Sequence, residues 1–333
     1  MTVVVTGSLA YDYIMSFPGR FVDHILPQQL HTLSVSFLVD SLRRERGGIA
    51  ANIAYNLRLL NVRPYLMCTA GQDFGDYLRW LQEQDIDTRG VRIYPDDYTA
   101  SFFVSTDDDN NQIASFYTGA MARARELSLY DLDLQSIELL IISPNDPAAM
   151  IRYAQECRTL GIPYIYDPSQ QIIRLSGDEL AAGVAGARIL TCNDYEFAMI
   201  QNKTGLDAAT LLARVPTVVV TRGDQGSTIY DSGREYHIPV VAPHDKGEPT
   251  GVGDAYRAGL IVGFLRHYPW PITGRLASLA ATYVLEQHGT QGHHYTRAEF
   301  VARYRQNFGD TPELDDLLTW NPERHDVDAG KTD

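Results

Sequence analysis

The sequence predicts an α/β fold, with a mostly parallel sheet covered by helices on both faces and a small β-sheet lid beside it. Three observations lead there. From residue 138 onward, short β-branched runs alternate with longer segments of helical periodicity. Glycine-containing turns follow the predicted strands, where sheets of this kind bind ligands. Two strand-rich stretches, 11–46 and 97–118, break the alternation and read as an insertion that covers one end of the sheet.

The elements follow in order. Residues 2–7, with Val3-Val4-Val5-Thr6-Gly7, form a β-branched core strand ending in a glycine turn. Residues 31–39 (His31 to Val39) read as a strand. Gly47-Gly48 opens a helix over 49–60, in which Ala50, Ala51, Ile53, Ala54, Leu57 and Leu60 are apolar. A strand at 64–70 and a helix at 74–84 come next. Segments 99–106 and 112–118 flank the polar tip Asp107-Asp108-Asp109-Asn110-Asn111 as a hairpin. Strand 138–142 precedes helix 146–160, strand 163–166 precedes helix 176–186, and strand 188–191 precedes helix 194–202. Helix 207–214 leads to strand 216–221, followed by a hairpin over 226–239. Helices at 252–266, 272–287 and 296–306 complete the pattern. The α/β body therefore takes 1–10, 47–96 and 119–320, the lid takes 11–46 and 97–118, and the polar tail 321–333 is expected to fray.

Composition excludes several functions. A formal net charge of −14 disfavours nonspecific binding to nucleic acid or anionic membranes, so any bound phosphate must be held by local features. No apolar run approaches ~18 residues, and the N-terminus lacks a basic leader, which points to a cytoplasmic protein. Cys68, Cys157 and Cys192 are far apart and odd in number, and they read as buried free thiols. The only lysines are Lys203, Lys246 and Lys331. A phosphate loop of the Gly-x4-Gly-Lys-Thr type fails because His325 stands where its first glycine belongs, and no strand lysine of the protein-kinase type exists.

The most informative segment is Pro249-Thr250-Gly251-Val252-Gly253-Asp254, followed by the apolar Ala255, Ala258, Leu260, Ile261, Phe264 and Leu265. It reads as a glycine turn opening into a helix, whose first amides and dipole attract anions. An acid at the mouth of an anion site repels the anion, so binding alone does not explain Asp254. A proton acceptor beside a transferring phosphoryl group does. Taken alone the segment would be a helix cap, but other segments accompany it: Ser8 and Asp12 after the first strand, Gly47-Gly48 with Asn52, Asn193-Asp194-Tyr195-Glu196, and Thr221-Arg222-Gly223-Asp224-Gln225-Gly226.

Together, and in this order, these segments resemble the PfkB (ribokinase-like) family of carbohydrate and nucleoside kinases over residues 1–310. Phe17-Pro18-Gly19-Arg20-Phe21, Ser36-Phe37-Leu38-Val39-Asp40, Ala114-Ser115-Phe116-Tyr117, Gly119-Ala120-Met121 and Asp167-Pro168-Ser169-Gln170-Gln171 look like the actinobacterial-type adenosine kinases within it. The resemblance implies a ribokinase-like, Rossmann-like fold and the reaction adenosine plus ATP giving AMP plus ADP.

It also implies roles. Asp254 would take the proton from the nucleoside 5′-hydroxyl, and the amides of Gly251, Val252, Gly253 and Asp254 would form the anion hole. Ser8, Asp12, Asn52 and the Gly47-Gly48 backbone would hold the ribose, because a carboxylate accepts from two vicinal hydroxyls and glycine admits close approach. Phe102 and Phe116 would sandwich the purine, with Gln170 and Gln171 reading its edge. Arg174, Thr221, Arg222, Gly223 and Gly226 would line the ATP side. Asn193 and Glu196 would arrange Mg²⁺ and its waters. Glu248 stands six before Asp254, where relatives carry an Asp that helps hold a monovalent cation, K⁺; glutamate is one methylene longer. Lids of this family often pair between subunits, which implies a homodimer. Adjacent His293 and His294 read as surface residues rather than metal ligands.

Rival readings keep part of this set. The same chemistry on a sugar or another nucleoside would retain Asp254, and Phe102, Phe116 and Gln170-Gln171 argue for a base-bearing acceptor. A catalytically inactive nucleoside-binding sensor would have no use for Asp254 with its flanking glycines. A dinucleotide-binding oxidoreductase would need glycine at position 256, which is Tyr256.

Overall fold

The structure is a computed structural model that describes residues 2–25, 34–132, 136–245 and 247–319. The elements run β1 Val3–Thr6, β2 Ala10–Ser16, β3 Ser41–Gly47, α1 Ile49–Leu59, β4 Pro64–Gly71, α2 Gly75–Glu83, β5 Val91–Tyr94, β6 Ala100–Thr106, β7 Gln112–Tyr117 and β8 Leu139–Ile142. They continue with α3 Pro147–Leu160, β9 Tyr164–Tyr166, α4 Gly177–Val184, β10 Ile189–Asn193, α5 Asp194–Thr204, α6 Ala208–Arg214, β11 Thr217–Thr221, β12 Ser227–Asp231, β13 Arg234–Ile238, α7 Val252–Leu265, α8 Trp270–Leu285, α9 Arg297–Phe308 and α10 Asp315–Thr319.

Nine strands form one sheet in the order β13-β12-β11-β10-β9-β8-β1-β4-β5. Pairing is parallel from β11 through β5, and β12 and β13 add antiparallel strands at one edge. The order reverses between β1 and β8, because the chain builds outward through β4 first and then returns to β1's other side. Such a reversal leaves a crevice beyond the carboxyl ends of the two strands. There Ser8 N–H donates to Pro144 O at 3.0 Å.

The inner strands β1, β4, β8, β9, β10 and β11 are buried on both faces, which explains their continuous apolar runs. Val3 and Val5 pack with α1, α7 and α8, through residues such as Leu57, Leu260 and Leu276. Val4 faces the opposite core with Tyr153 of α3, Leu180 of α4 and Ile200 of α5. The α7–α8 contact is close, since a Cβ placed on Gly259 would lie 2.5 Å from Ala277 Cα.

The second sheet has four strands in the order β3-β2-β6-β7. It corrects the expected strand at 31–39: residues 34–39 contain no strand, and 31–33 lie outside the described residues. Phe37 instead packs edge-on against Phe17 and Phe21, with centroids 5.0 and 4.9 Å away. The strand is β3, an exposed edge whose charged sequence carries no alternation to betray it. β2, within the stretch read only as strand-rich, and β5 are further strands absent from the expected elements; β5 is four residues long and half exposed, too short for a periodic signal. The last long helices begin and end slightly off expectation, α8 starting at Trp270 because Pro271 is tolerated in a first turn. The tail 321–333 lies outside the described residues.

No described helix is long and apolar enough to cross a membrane. The three cysteines are buried and free, as expected.

The α7–α8 packing is testable. Gly259→Val should lower stability by roughly 1–3 kcal/mol through overpacking, read as a lower urea midpoint with unchanged slope. A loss below about 0.5 kcal/mol would mean that the helices separate freely.

Candidate active site

The first turn of α7 forms as its sequence requires. Gly251 caps the helix at φ 83°, a left-handed value that suits glycine. Ala255 N–H makes the first helical bond, to Gly251 O at 3.1 Å. Val252 N–H donates to Pro249 O at 3.3 Å and closes the turn. Gly253 and Asp254 are therefore the positions whose amides have no partner within the helix.

Asp254 is buried in this turn. Asn52 Nδ2, 202 residues away in sequence, donates to its Oδ2 at 2.9 Å. Arg257 Nη1 lies 3.5 Å from its Oδ1. Burial raises the Asp254 pKa, against the opposing pull of Arg257 and Asn52. The result is a carboxylate more basic than an exposed aspartate, with Oδ1 the less firmly held oxygen.

Asp254 opens on a cavity of about 590 Å³ at the β1–β8 switch point, between the two sheets. Most of the expected acceptor residues line it: Ser8, Asp12, Gly48, Asn52, Phe102 and Phe116 from one side, and Gln170 and Gln171 from the other, together with Arg174 from the set expected on the ATP side. Gly48 has φ 92°, and a Cβ there would sit 2.6 Å from both Ala10 N and Ser8 O. Ser8 Oγ accepts from Ile49 N–H at 3.1 Å and so ties the first strand's turn to α1. Gly47 is not part of the lining, but its bare Cα lets Asp12 approach, since a Cβ would meet Asp12 Oδ2 at 2.4 Å. Burial pushes Asp12 up to about 6, helped by the charges of Glu45, Glu248 and Asp254.

Phe102 and Phe116 are direct cross-strand partners on β6 and β7. Phe116 is 49% exposed, so its ring is available to a ligand rather than spent in a core. Gln171 is buried, and its Oε1 has no hydrogen-bond partner. Gln170 is exposed, and its Oε1 accepts from Ser169 Oγ at 3.0 Å.

The other residues expected on the ATP side lie elsewhere on the same sheet edge. Asn193, Glu196, Thr221, Arg222, Gly223 and Gly226 do not line this cavity. They sit at the carboxyl ends of β10 and β11 and in the turn that follows. Asn193 and Glu196 form a capping box on α5, with Glu196 N–H donating to Asn193 Oδ1 at 2.7 Å and Asn193 N–H donating to Glu196 Oε2 at 2.8 Å. The other oxygen of Glu196 accepts from Ser169 Oγ at 3.2 Å, which joins this region to the cavity wall. Arg222 turns back onto β12, bonding Thr228 and Tyr230. Glu248 Oε1 accepts from Thr250 Oγ1 at 3.0 Å.

Among the described residues no group of three or more His, Cys, Asp or Glu could hold a metal ion. Glu196 nevertheless fits an ion that keeps its waters, because its two oxygens retain unused lone pairs.

Four further residues complete the site, and the sequence assigns none of them a role there. Arg257 bridges Asp254 to the buried Asp167. Gln291 Nε2 donates to Asn52 Oδ1 at 2.7 Å and to Tyr77 OH at 2.6 Å. A signal for Arg257 is present: it and Asp254 are the only charged residues in α7. Gln291 and Tyr77 carry none, because only the fold brings them to Asn52.

His293 corrects an expectation. It is 1% exposed, not a surface residue. Asn56 Nδ2 donates to Asn52 O at 2.9 Å, so Asn56 Oδ1 is the acceptor that faces His293 Nε2, also at 2.9 Å. Burial lowers the His293 pKa to about 4, with the neighbouring His294 assisting, so it is neutral at pH 7 and supports the helix that carries Asn52. His294 is exposed.

A family model described as pfkB family carbohydrate kinase matches residues 6–296. The chain is 31% identical over 315 residues to a nucleoside kinase of Methanothermobacter thermautotrophicus, covering 94% of this chain and 98% of that protein. It also superimposes on a Burkholderia thailandensis nucleoside kinase in complex with inosine, with TM-score 0.83, 37% identity and coverage of 92% of this chain and 98% of the other. The same kinase in complex with ADP-inosine gives TM-score 0.81 at 38% identity, covering 93% and 97%.

The Asn52–Asp254 bond predicts a pH-dependent penalty. Asn52→Ala should destabilise the protein by about 1.5–3 kcal/mol where Asp254 is charged. The loss should shrink as pH falls through the raised Asp254 pKa, because the lost bond favoured the ionised form. Urea unfolding of both proteins across pH reads this directly, and a pH-independent difference would refute the bond's charged character.

Proposed function

The chain belongs to the pfkB family carbohydrate kinases, and from that membership we propose that it transfers the γ-phosphoryl group of ATP to the 5′-hydroxyl of a nucleoside, with adenosine as acceptor. One observation carries the reading: a buried, basic carboxylate on the first turn of a helix opens on a cavity that pairs an acid-and-amide corner with two neighbouring aromatic residues of adjacent strands. Asp12 and Asn52 accept and donate to ribose hydroxyls, and Phe102 with Phe116 takes the base. Gln171 offers a buried carbonyl oxygen that lacks a donor, which the exocyclic amine of adenine supplies. The N1–H of hypoxanthine would serve equally, and the inosine bound to the Burkholderia relative makes inosine the second reading.

Asp254 Oδ1 takes the 5′-hydroxyl proton as that oxygen attacks the γ-phosphorus. The new O–P bond forms as the bond to the β,γ-bridging oxygen breaks, and ADP leaves with the electron pair. The amides of Gly253 and Asp254 stabilise charge on the γ-phosphoryl oxygens. Mg²⁺ bound with ATP would neutralise phosphate charge, and Glu196 and Asn193 are placed to order its waters. Arg174, on the cavity wall, is a phosphate contact, and the β10–β11 edge with Thr221 and Gly223 takes the rest of ATP.

The deciding experiment is ADP release with Mg·ATP against adenosine, inosine, guanosine, cytidine, ribose and fructose 6-phosphate. Selective turnover of adenosine supports the proposal, inosine alone selects the second reading, and turnover of sugars only removes the aromatic pocket from the argument. Asp254→Asn should keep nucleoside binding but lose roughly 2–4 decades of kcat; near-normal turnover would remove Asp254 as base. KM for the nucleoside should rise as pH falls through about 6, because protonation of Asp12 removes an acceptor for the ribose hydroxyls. An unchanged KM between pH 5 and 8 (a window on either side of that value) would take Asp12 out of the ribose site.

A further inference from the structure

We propose that Asp167 and Arg257 are a pair of positioning residues that aim the Asp254 carboxylate and tune its basicity. The inference rests on Asp254 being the base and goes beyond it by assigning two residues that do not react. Asp167 follows β9 directly and is 0% exposed. Arg257 Nη2 donates to Asp167 Oδ1 at 2.8 Å, and its Nε contacts the other carboxylate oxygen, so the guanidinium is gripped at two points. Its remaining nitrogen, Nη1, reaches Asp254 Oδ1 at 3.5 Å. The planar fork therefore sets where that oxygen points.

Gly253 has a role in this arrangement. A Cβ on it would lie 2.7 Å from Arg257 Nη1. The second glycine of the turn thus leaves room for the arginine head as well as for a phosphoryl group. Arg257 is also the one cation on the wall of the cavity beside Asp254 among the described residues of α7.

The electrostatic logic explains why Asp167 must be buried there. A lone guanidinium beside Asp254 would hold the carboxylate ionised and make it a poor proton acceptor. Asp167 answers most of that charge. The groups facing Asp254 are Arg257 on its own helix, Asp12 on β2 and Asp167 after β9, while Glu196 on α5 bears on the Asp167–Arg257 pair. Burial raises the Asp254 pKa, and the acid bound to Arg257 keeps the guanidinium from cancelling that rise.

The two single substitutions should move Asp254 in opposite directions. Asp167→Asn leaves Arg257 uncompensated, so Asp254 should titrate lower, by about one pH unit or more. Arg257→Gln removes the positive neighbour, so Asp254 should titrate higher. Carboxyl ¹³C titration of aspartate-labelled protein, with Asp254 assigned by difference from Asp254→Asn, reads this without activity. The acid limb of kcat/KM for the nucleoside should follow the same shifts. kcat should fall at least tenfold in both variants, with KM changing less. Arg257→Lys retains the charge but not the fork, so the titration should stay near the parent value while kcat still falls.

A merely structural pair would lower the melting temperature and leave the Asp254 titration where it was. That result, or shifts of the same sign in both substitutions, overturns the inference. If Asp167→Asn does not fold, the contrast between Arg257→Gln and Arg257→Lys carries the test, and equal titrations in those two overturn it. Failure of the functional reading looks different: it is the absence of nucleoside turnover by the unmodified protein.

Discussion

A carboxylate taken out of water has to be bonded or it takes up a proton, and this site is organised around that constraint at Asp254. Asn52 and Arg257 reach it from two helices, one at each carboxylate oxygen. Each of these partners is in turn fixed by others. Asn52 is held through Gln291, Asn56 and, behind it, the neutral His293. Arg257 is held by Asp167. The buried polar network is thus continuous from the C-terminal segment to the crevice, which is how a polar core becomes specific rather than merely costly.

The position of the crevice follows from topology. Strand order reverses between β1 and β8, so the turns after these strands diverge and leave space. The four-stranded sheet leaves the body just there, because β2 starts at Ala10 and β3 ends at Gly47, four residues after β1 and two before α1. Two short connections, 7–9 and Gly48, therefore join the sheets side by side. The first leads to Asp12 and the second to Asn52, and their contact explains why the backbone at Gly48 cannot carry a side chain, since a Cβ there would meet Ala10 N and Ser8 O.

Much of this was legible in the chain itself. The alternation after residue 138 announced the parallel sheet, since strands buried on both faces must be apolar or β-branched throughout, as Leu139–Ile142 and Thr217–Thr221 are. The Gly251 turn and Asp254 were readable because a glycine turn followed by an apolar stripe marks a helix start with an acid on its first turn. Phe102 and Phe116, given a role only by the family resemblance, are cross-strand neighbours that line the cavity. Less visible were β3, whose charged edge sequence matches no strand pattern, and His293, whose burial depends on a contact 237 residues away.

Sequence by itself determined the parallel body of the large sheet, the glycine turns and an acid on the first turn of α7, because each depends on local propensity, periodicity or backbone freedom that neighbouring residues express. Tertiary structure alone decided which groups surround that acid. Asp167 becomes the counterion of Arg257 only when β9 ends beside α7, and Gln291 becomes a partner of Asn52 only when the C-terminal segment closes over α1. Such pairings are set by packing between elements far apart in the chain, and side-chain charge in a buried site has meaning only relative to the charges that packing places around it.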